Sequence, residues 1–287
     1  MFLVITIYKT RLMQAATVRS LLAIAPLLEN ATLFVWDNSP SPAPAEDRER
    51  LRDAGDWTVD YRHDPANSGL SRVYNEAVRH GADHDTVTIL DQDSTFDRSL
   101  VDRLREALRT QPECDVFLPI VESHGRIVSP GNYRLVKGSY WTRRTTGRIS
   151  ARGVTAINSG MTIRTGYLRN EFPGYDERFR FYGIDTAFML DHAKRRPYVY
   201  VLDATILHES GLLDGSQPEA RRIERFDDLF RAWILLHEDR PAHLALVRAY
   251  TLYVGLREAV RRRDGTYLRC ASRAAFRPRS PAHRDAA

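Results

Sequence analysis

The chain has 287 residues, 43% of them hydrophobic and 28% charged, with 42 Lys and Arg against 37 Asp and Glu. That length supports one large domain or two modest ones, and ordinary Gly and Pro usage excludes a collagen-like, low-complexity or disordered chain. Two cysteines, Cys114 and Cys270, exclude a disulfide framework and fit a reducing cytoplasm.

The first apolar run, Phe2 to Ile7, lacks a basic leader and a small-residue cleavage site, so it reads as a first strand and not as a signal peptide. Val18, Leu21, Leu22 and Ala25 then fall at helical spacing. The longest apolar stretch in this region, Leu21 to Leu28, contains Pro26 and is far shorter than the roughly twenty residues of a membrane span. Thr32 to Trp36 is a second buried strand, stopped by the turn cluster Asp37-Asn38-Ser39-Pro40. A short charged helix and an extended segment near Trp57 to Tyr61 follow. Asn67-Ser68-Gly69 opens a helix with Val73, Ala77 and Val78 on one face and Gly81 placed to end it.

Thr86 to Leu90 is the fourth strand and ends at Asp91-Gln92-Asp93-Ser94. Asp97 caps the next helix, whose Leu100, Val101, Leu104 and Leu108 share a face, and Asp115 to Val121 is a further strand. This alternation predicts an α/β fold with a largely parallel sheet and helices on both faces, and such sheets bind ligands beyond the carboxyl ends of their strands. Gly125 to Gly153 interleaves glycine with Tyr133, Tyr140, Trp141, Arg143 and Arg144, the pattern of hairpins or a mobile loop. Beyond Gly211 the chain reads as helical, with a last helix over about Ala242 to Arg263. The expected division is residues 1–215 as a catalytic domain and 216–287 as a helical extension.

Positive charge concentrates in that extension. From Pro241 onward ten Arg face Glu258, Asp264 and Asp285, a net charge of +7 that leaves the rest of the chain at about −2. Basic residues interleaved with stacking aromatics, or a reading helix, would mark a nucleic-acid surface; neither is present, so no nucleic-acid partner is expected. An anionic surface such as the inner face of the cytoplasmic membrane suits the tail better. Leu244, Leu246, Val247, Tyr250, Thr251, Tyr253, Val254 and Leu256 supply apolar area there, and Arg257, Arg261, Arg262, Arg263, Arg269 and Arg273 supply charge. Two readings stay open: this helix lies on the membrane, or its apolar residues pack on the protein and its arginines face water.

Two carboxylates one residue apart at a strand end, Asp91 and Asp93, suit a hard divalent cation held together with substrate phosphates. Asp-x-Asp also arises as an ordinary loop or helix cap, and the ordered company decides the reading. Asp37-Asn38, the run Asn67 to Asn75, Asn158-Ser159-Gly160, Tyr182-Gly183-Ile184-Asp185 and Leu207-His208-Glu209-Ser210-Gly211 follow one another along the chain. This order, over roughly residues 2 to 237, resembles the inverting family 2 glycosyltransferases with the GT-A fold, and within them the bacterial rhamnosyltransferase branch. The resemblance implies a GT-A fold, Rossmann-like, with a C-terminal helical extension.

The resemblance also implies roles. Asp37 would accept a hydrogen bond from the pyrimidine base, with Thr6 and Tyr8 lining the same pocket, and Asn67 and Arg72 would approach the nucleotide and diphosphate. Asp91 would lie near the ribose or a metal-bound water, while Asp93 and His208 would bind Mn²⁺ or Mg²⁺. Asp185 would be the general base, with Glu177 or Glu209 next in line. Each also has a plain structural reading: Asp37 and Asn67 are common turn residues, Arg72 a solvated helix residue, and Asp185 a favoured acid at a helix N-terminus. Lys9 departs from the family, where Asn commonly follows the first-strand Tyr. The implied activity is metal-dependent transfer of L-rhamnose from dTDP-L-rhamnose to a glycan or lipid-linked oligosaccharide. The alternatives are a UDP-hexose donor, nucleotidyl transfer, glycoside hydrolysis and noncatalytic glycan binding. Nucleotidyl transfer wants a Gly-rich loop after the first strand, and Tyr8-Lys9-Thr10-Arg11 has no glycine.

Overall fold

In the computed structural model, which describes residues 1–208 and 218–277, the opening apolar run is strand β1 (Phe2–Ile7) and leads into helix α1 (Ala16–Ala23). There follow β2 (Ala31–Asp37), α2 (Ala45–Asp53), β3 (Trp57–His63), α3 (Leu70–His80), β4 (Thr86–Asp91), the short β5 (Ser94–Thr95) and α4 (Arg98–Thr110). The remainder of the first compact unit holds β6 (Val116–Ser123), β7 (Arg126–Ser129), β8 (Gly131–Arg134), β9 (Lys137–Tyr140), β10 (Gly147–Ser150), β11 (Val154–Thr155), β12 (Thr162–Arg164), α5 (Thr165–Asn170), α6 (Ile184–Arg195) and β13 (Tyr198–His208).

The main sheet has the order β10-β13-β6-β12-β4-β1-β2-β3. β3, β2, β1 and β4 pair in parallel, and so do β6 and β13. β12 enters antiparallel between β4 and β6, and β10 is antiparallel to β13. Six strands of this path thus share one direction, as a mostly parallel sheet requires. The register sets Ile7 beside Asp37 and Thr6 beside Asp91, so the carboxyl ends of β1, β2 and β4 lie at one edge. Beneath them Ile5, Leu33, Val35, Leu90 and Phe117 form a buried apolar layer with Val18 and Leu21 of α1 and Leu104 of α4. The glycine-rich region resolves as hairpins, with β11, β8 and β9 in a separate three-stranded sheet.

Local chemistry explains most boundaries. Asp97 caps α4 by accepting from the Ser99 N–H at 2.8 Å. Gly81 ends α3 for a reason other than a left-handed cap: its φ is −84°, and a Cβ there would lie 2.9 Å from Phe2 Cδ1 and 3.0 Å from Val87 Cγ2. Glycine is required by the close approach of α3 to the sheet.

The second compact unit comprises Phe181–Gly183 and, among the described residues, 218–277. Its helices are α7 (Glu219–Leu235), α8 (Pro241–Arg262) and α9 (Thr266–Ala275). Phe230, Val254, Cys270, Ala271 and Ala274 make its core, with Phe226, Trp233 and Tyr250 packed on it. Leu244, Val247 and Thr251 are also buried. No helix among the described residues is long and apolar enough to cross a membrane.

Candidate active site

Asp37, the last residue of β2, is 1% exposed and serves as an internal hub. Its Oδ1 accepts from the Ser39 N–H at 2.9 Å, and its Oδ2 from the Ala43 N–H at 3.0 Å and the Tyr61 hydroxyl at 2.6 Å. Each carboxylate oxygen offers two lone pairs, so Oδ2 is saturated and Oδ1 keeps one acceptor position. Burial and the bond to Asp37 push the Tyr61 phenol up to about 12. The neighbouring Asn38 accepts from Trp36 Nε1 at 2.9 Å and donates to the Ser68 carbonyl at 3.0 Å, while the Asp64 N–H bonds the Asp37 carbonyl at 2.8 Å. The loop over residues 64–69 is thereby stitched to the end of β2.

Asn67 occupies the left-handed region in that loop, with φ of 51°, a conformation Asn tolerates better than most residues. Gly69 then lies against Arg180, whose carbonyl accepts the Leu70 N–H at 2.7 Å. Arg72 is exposed on the first turn of α3, near Asp64. On the β1 side Thr6 is partly buried, and the Tyr8 N–H donates to Gln92 Oε1 at 2.7 Å, which ties the end of β1 to the Asp91-Gln92-Asp93 turn. Lys9 has φ of 54°, in the left-handed region that Asn tolerates better than Lys. Its N–H donates to Ser39 Oγ at 2.8 Å and its Nζ lies 5.0 Å from the Tyr8 ring centroid.

Thr17 of α1 holds the acidic turn from below: its hydroxyl bonds the Asp91 and Ser94 carbonyls, and its N–H the Gln92 carbonyl. Asp93 then meets His208, with Nδ1 and Oδ1 3.3 Å apart. His208 is the terminal residue of β13, paired with Ser94 of β5, and so stands at a strand end. Its Nδ1 is buried and makes no hydrogen bond, nor does the nearby Ser94 hydroxyl. An imidazole nitrogen that makes no hydrogen bond yet faces a carboxylate at 3.3 Å fits a divalent cation. Two ligands each about 2.1 Å from one ion at right angles lie about 3 Å apart, close to the observed separation. A carboxylate and an imidazole completed by phosphate oxygens and water suit Mn²⁺ or Mg²⁺. Asp91 does not join this pair: its Oδ2 accepts from the Ser159 hydroxyl, and no group of three acidic, His or Cys ligands occurs among the described residues.

Ser159 belongs to the turn Asn158-Ser159-Gly160 before β12. Gly160 has φ of 80° and a Cβ there would fall 2.7 Å from Pro119 Cγ, so only glycine lets the turn close and aim Ser159 at Asp91. Asp185 opens α6, where its Oδ1 accepts from the Thr186 N–H at 2.7 Å. Burial, reinforced by the charge of Asp91, pushes its carboxyl up to about 6. Tyr74 of α3, 1% exposed, is held well above the ordinary phenol range by burial and by Asp91, Tyr175 and Asp185, and it bonds Asn158. Tyr74 and Ser159 were not expected at the site from the sequence. Each stands inside a motif of the sequence, Tyr74 in the run Asn67 to Asn75 and Ser159 in Asn158-Ser159-Gly160, without a role of its own. Glu177 is exposed and 3.2 Å from Asn75 Nδ2, whereas Glu209, with Ser210 and Gly211, lies outside the described residues.

The structure thus brings Asp93 to His208 and Asp91 to Ser159, with Asp185 and Tyr74 electrostatically coupled to Asp91, while Asp37 is engaged with Ser39, Ala43 and Tyr61. Among solved structures, that of residues 1–349 of S. aureus TarS with UDP-GlcNAc shares 14% identity at a TM-score of 0.56, over 95% of this chain and 90% of that one. GalNAc-T7 with UDP, GalNAc and Mn²⁺ shares 12% identity at 0.54, over 80% of this chain and 47% of its own. A mannosyltransferase from Pyrobaculum calidifontis with GDP-Man and Mn²⁺ shares 12% at 0.51, over 97% and 87%. These likenesses show the fold. No curated protein matches the chain. Residues 2–170 match the family described as glycosyl transferase family 2, and with more than half the chain so matched, on a GT-A fold, this protein belongs to that family and is a glycosyltransferase.

Proposed function

We propose that the chain is a metal-dependent inverting glycosyltransferase that moves L-rhamnose from dTDP-L-rhamnose to a hydroxyl of a bacterial surface glycan, free or lipid-linked. In this reading residues 1–215 are the catalytic domain and 216–287 a helical extension, and the enzyme works in the cytoplasm at the inner face of the membrane. The observation that carries the reading is geometric: Asp93 and His208 meet 3.3 Å apart at the strand ends next to Asp91, and the buried carboxyl of Asp185 is coupled to Asp91 there.

Asp37, Thr6 and Tyr8 line the base pocket, with the open acceptor position of Asp37 Oδ1 available to the pyrimidine. Asn67 and Arg72 approach the diphosphate, and Asp91 the ribose. Asp93 and His208 hold the cation, which when bound neutralises charge on the departing diphosphate. Inversion is a single displacement: the acceptor oxygen bonds the anomeric carbon, the bond to the diphosphate breaks, and the hydroxyl proton passes to Asp185. A base near 6 is largely ionised at neutral pH yet a better proton acceptor than an ordinary carboxylate.

A second reading, a UDP-hexose donor, is favoured by the TarS structure bound to UDP-GlcNAc. Mixing each nucleotide sugar with glycan acceptors and Mn²⁺ tests both. Release of the nucleoside diphosphate with product of inverted anomeric configuration supports the proposal, and the donor that yields it selects the sugar. Pyrophosphate release would indicate nucleotidyl transfer, and binding without turnover would indicate a glycan-binding protein.

A further inference from the structure

The two faces of α8 differ in a way that its composition alone does not show. Leu244, Val247, Thr251, Val254 and Glu258 are buried, at most 3% exposed. Leu246, Tyr253, Leu256 and Val260 are instead 46%, 59%, 51% and 70% exposed. At 100° per residue these four fall within an arc of about 80°, forming a stripe about 21 Å long. Ala249 within the stripe and Ala242 and Ala245 ahead of it are also exposed and apolar. Arg257 and Arg261 flank the carboxyl-terminal end of the stripe, and Arg263 stands exposed just beyond it.

No carboxylate occupies the outward arc among the described residues. The acid of this helix, Glu258, is buried and bound by Arg257 at 2.8 Å and Arg262 at 3.2 Å, with Arg261 at 3.9 Å, so the cluster as a whole keeps a net positive charge. We infer that the outward face of α8 is a docking surface for an anionic phospholipid membrane, with the helix lying in the plane of the interface. The stripe enters the boundary between headgroups and acyl chains, and the arginines extend along it to place their guanidinium groups among lipid phosphates. Charge complementarity selects this occupant: Arg257, Arg261 and Arg263 stand exposed at one end of a stripe that carries no carboxylate, which suits a surface of lipid phosphates. The sequence left a choice between a packed helix and a membrane helix, and the two faces of α8 permit both at once.

The test is co-sedimentation of the full chain with vesicles of phosphatidylcholine alone and of equimolar phosphatidylcholine and phosphatidylglycerol. It needs no nucleotide, metal or acceptor, so its outcome is independent of the catalytic proposal. Three arginines at the surface give an expected preference for the anionic vesicles on the order of 100-fold, weakening as salt is added. A triple variant with Leu246→Ser, Tyr253→Ser and Leu256→Ser replaces only exposed side chains. It should unfold at the wild-type temperature yet bind at least about tenfold more weakly. Arg261→Ser with Arg263→Ser should reduce the preference for anionic over neutral vesicles and leave the Arg257–Glu258 pair intact. Equal recovery with both vesicle types, no recovery at all, or undiminished binding by the folded triple variant would overturn the inference. So would a wild-type dimer in light scattering that the triple variant breaks and that binds no vesicle.

Discussion

Asp185→Asn separates the catalytic role of this carboxyl from its role in the fold. Asn is isosteric and retains an Oδ1 able to accept from the Thr186 N–H, so the start of α6 keeps its bond. What disappears is a buried charge. A carboxyl held at about 6 in the folded protein against 3.8 when exposed costs the folded state about 3 kcal/mol once both forms are ionised. The sign follows from proton counting. Between 3.8 and about 6 the folded chain binds more protons than the unfolded one, so stability falls as pH rises through that window and the cost is complete above it. Asp185 keeps some solvent access, which lowers the expected gain in Asp185→Asn at about pH 8 to roughly 1–3 kcal/mol, several degrees in Tm, shrinking toward zero near about pH 4. Thermal unfolding of both proteins across this range, in chelator so that a bound cation does not lower the carboxyl again, measures it. In parallel, transfer should fall by about two to four orders of magnitude, and the wild-type limb below about pH 6, near tenfold per unit, should vanish from the residual rate. A pH-independent difference in stability, or turnover within about threefold of wild type, would refute the assignment of Asp185 as the base.

Other substitutions probe the remaining parts of the site. His208→Ala removes an imidazole whose buried Nδ1 has no hydrogen-bond partner, so stability should hold while metal-dependent transfer is lost; Asp93→Ala should behave alike, and full activity in excess chelator would contradict both. Tyr61→Phe deletes the 2.6 Å bond to Asp37 Oδ2 and should cost about 1.5–3 kcal/mol in chemical denaturation, with a raised KM for the donor and little change in kcat. Gly160→Ala combines a left-handed φ with a Cβ 2.7 Å from Pro119 Cγ; a loss of at least about 2 kcal/mol and of activity, through displaced Ser159, is expected from denaturation and rate measurements.

Legibility from sequence followed the length and regularity of the pattern. β1, β2 and β4 are continuous β-rich runs ended by turn residues, and the expected and observed boundaries agree to within a residue or so. β12 escaped because three residues carry no period, and β13 because its pairing with β6 shifts register between Val201 and Thr205, which breaks the alternation that marks a strand. The Asp93–His208 pair was expected from the order of motifs, since no spacing rule links residues so far apart in the chain. Tyr74 and Ser159 could not be found by pattern: one is an aromatic on a helix face like any core residue, and the other is aimed only by the left-handed turn at Gly160. Asp37 shows what pattern leaves out: Ser39, Ala43 and Tyr61 fill three of its acceptor positions and leave one on Oδ1, an arrangement that no sequence spacing announces.

The central claim is that Asp93 and His208 join a cation to the diphosphate of a nucleotide sugar at these strand ends. Thermal unfolding with a panel of dTDP, UDP and GDP sugars, each with Mn²⁺ and with chelator, addresses it directly. A donor at about 100 times its Kd should stabilise the fold by about 2.7 kcal/mol. The account predicts that dTDP-L-rhamnose gives the largest rise in Tm, that chelator removes most of it, and that Asp93→Ala and His208→Ala remove it while unfolding as wild type without ligand. A rise equal with and without the cation, or none with any donor, would contradict it.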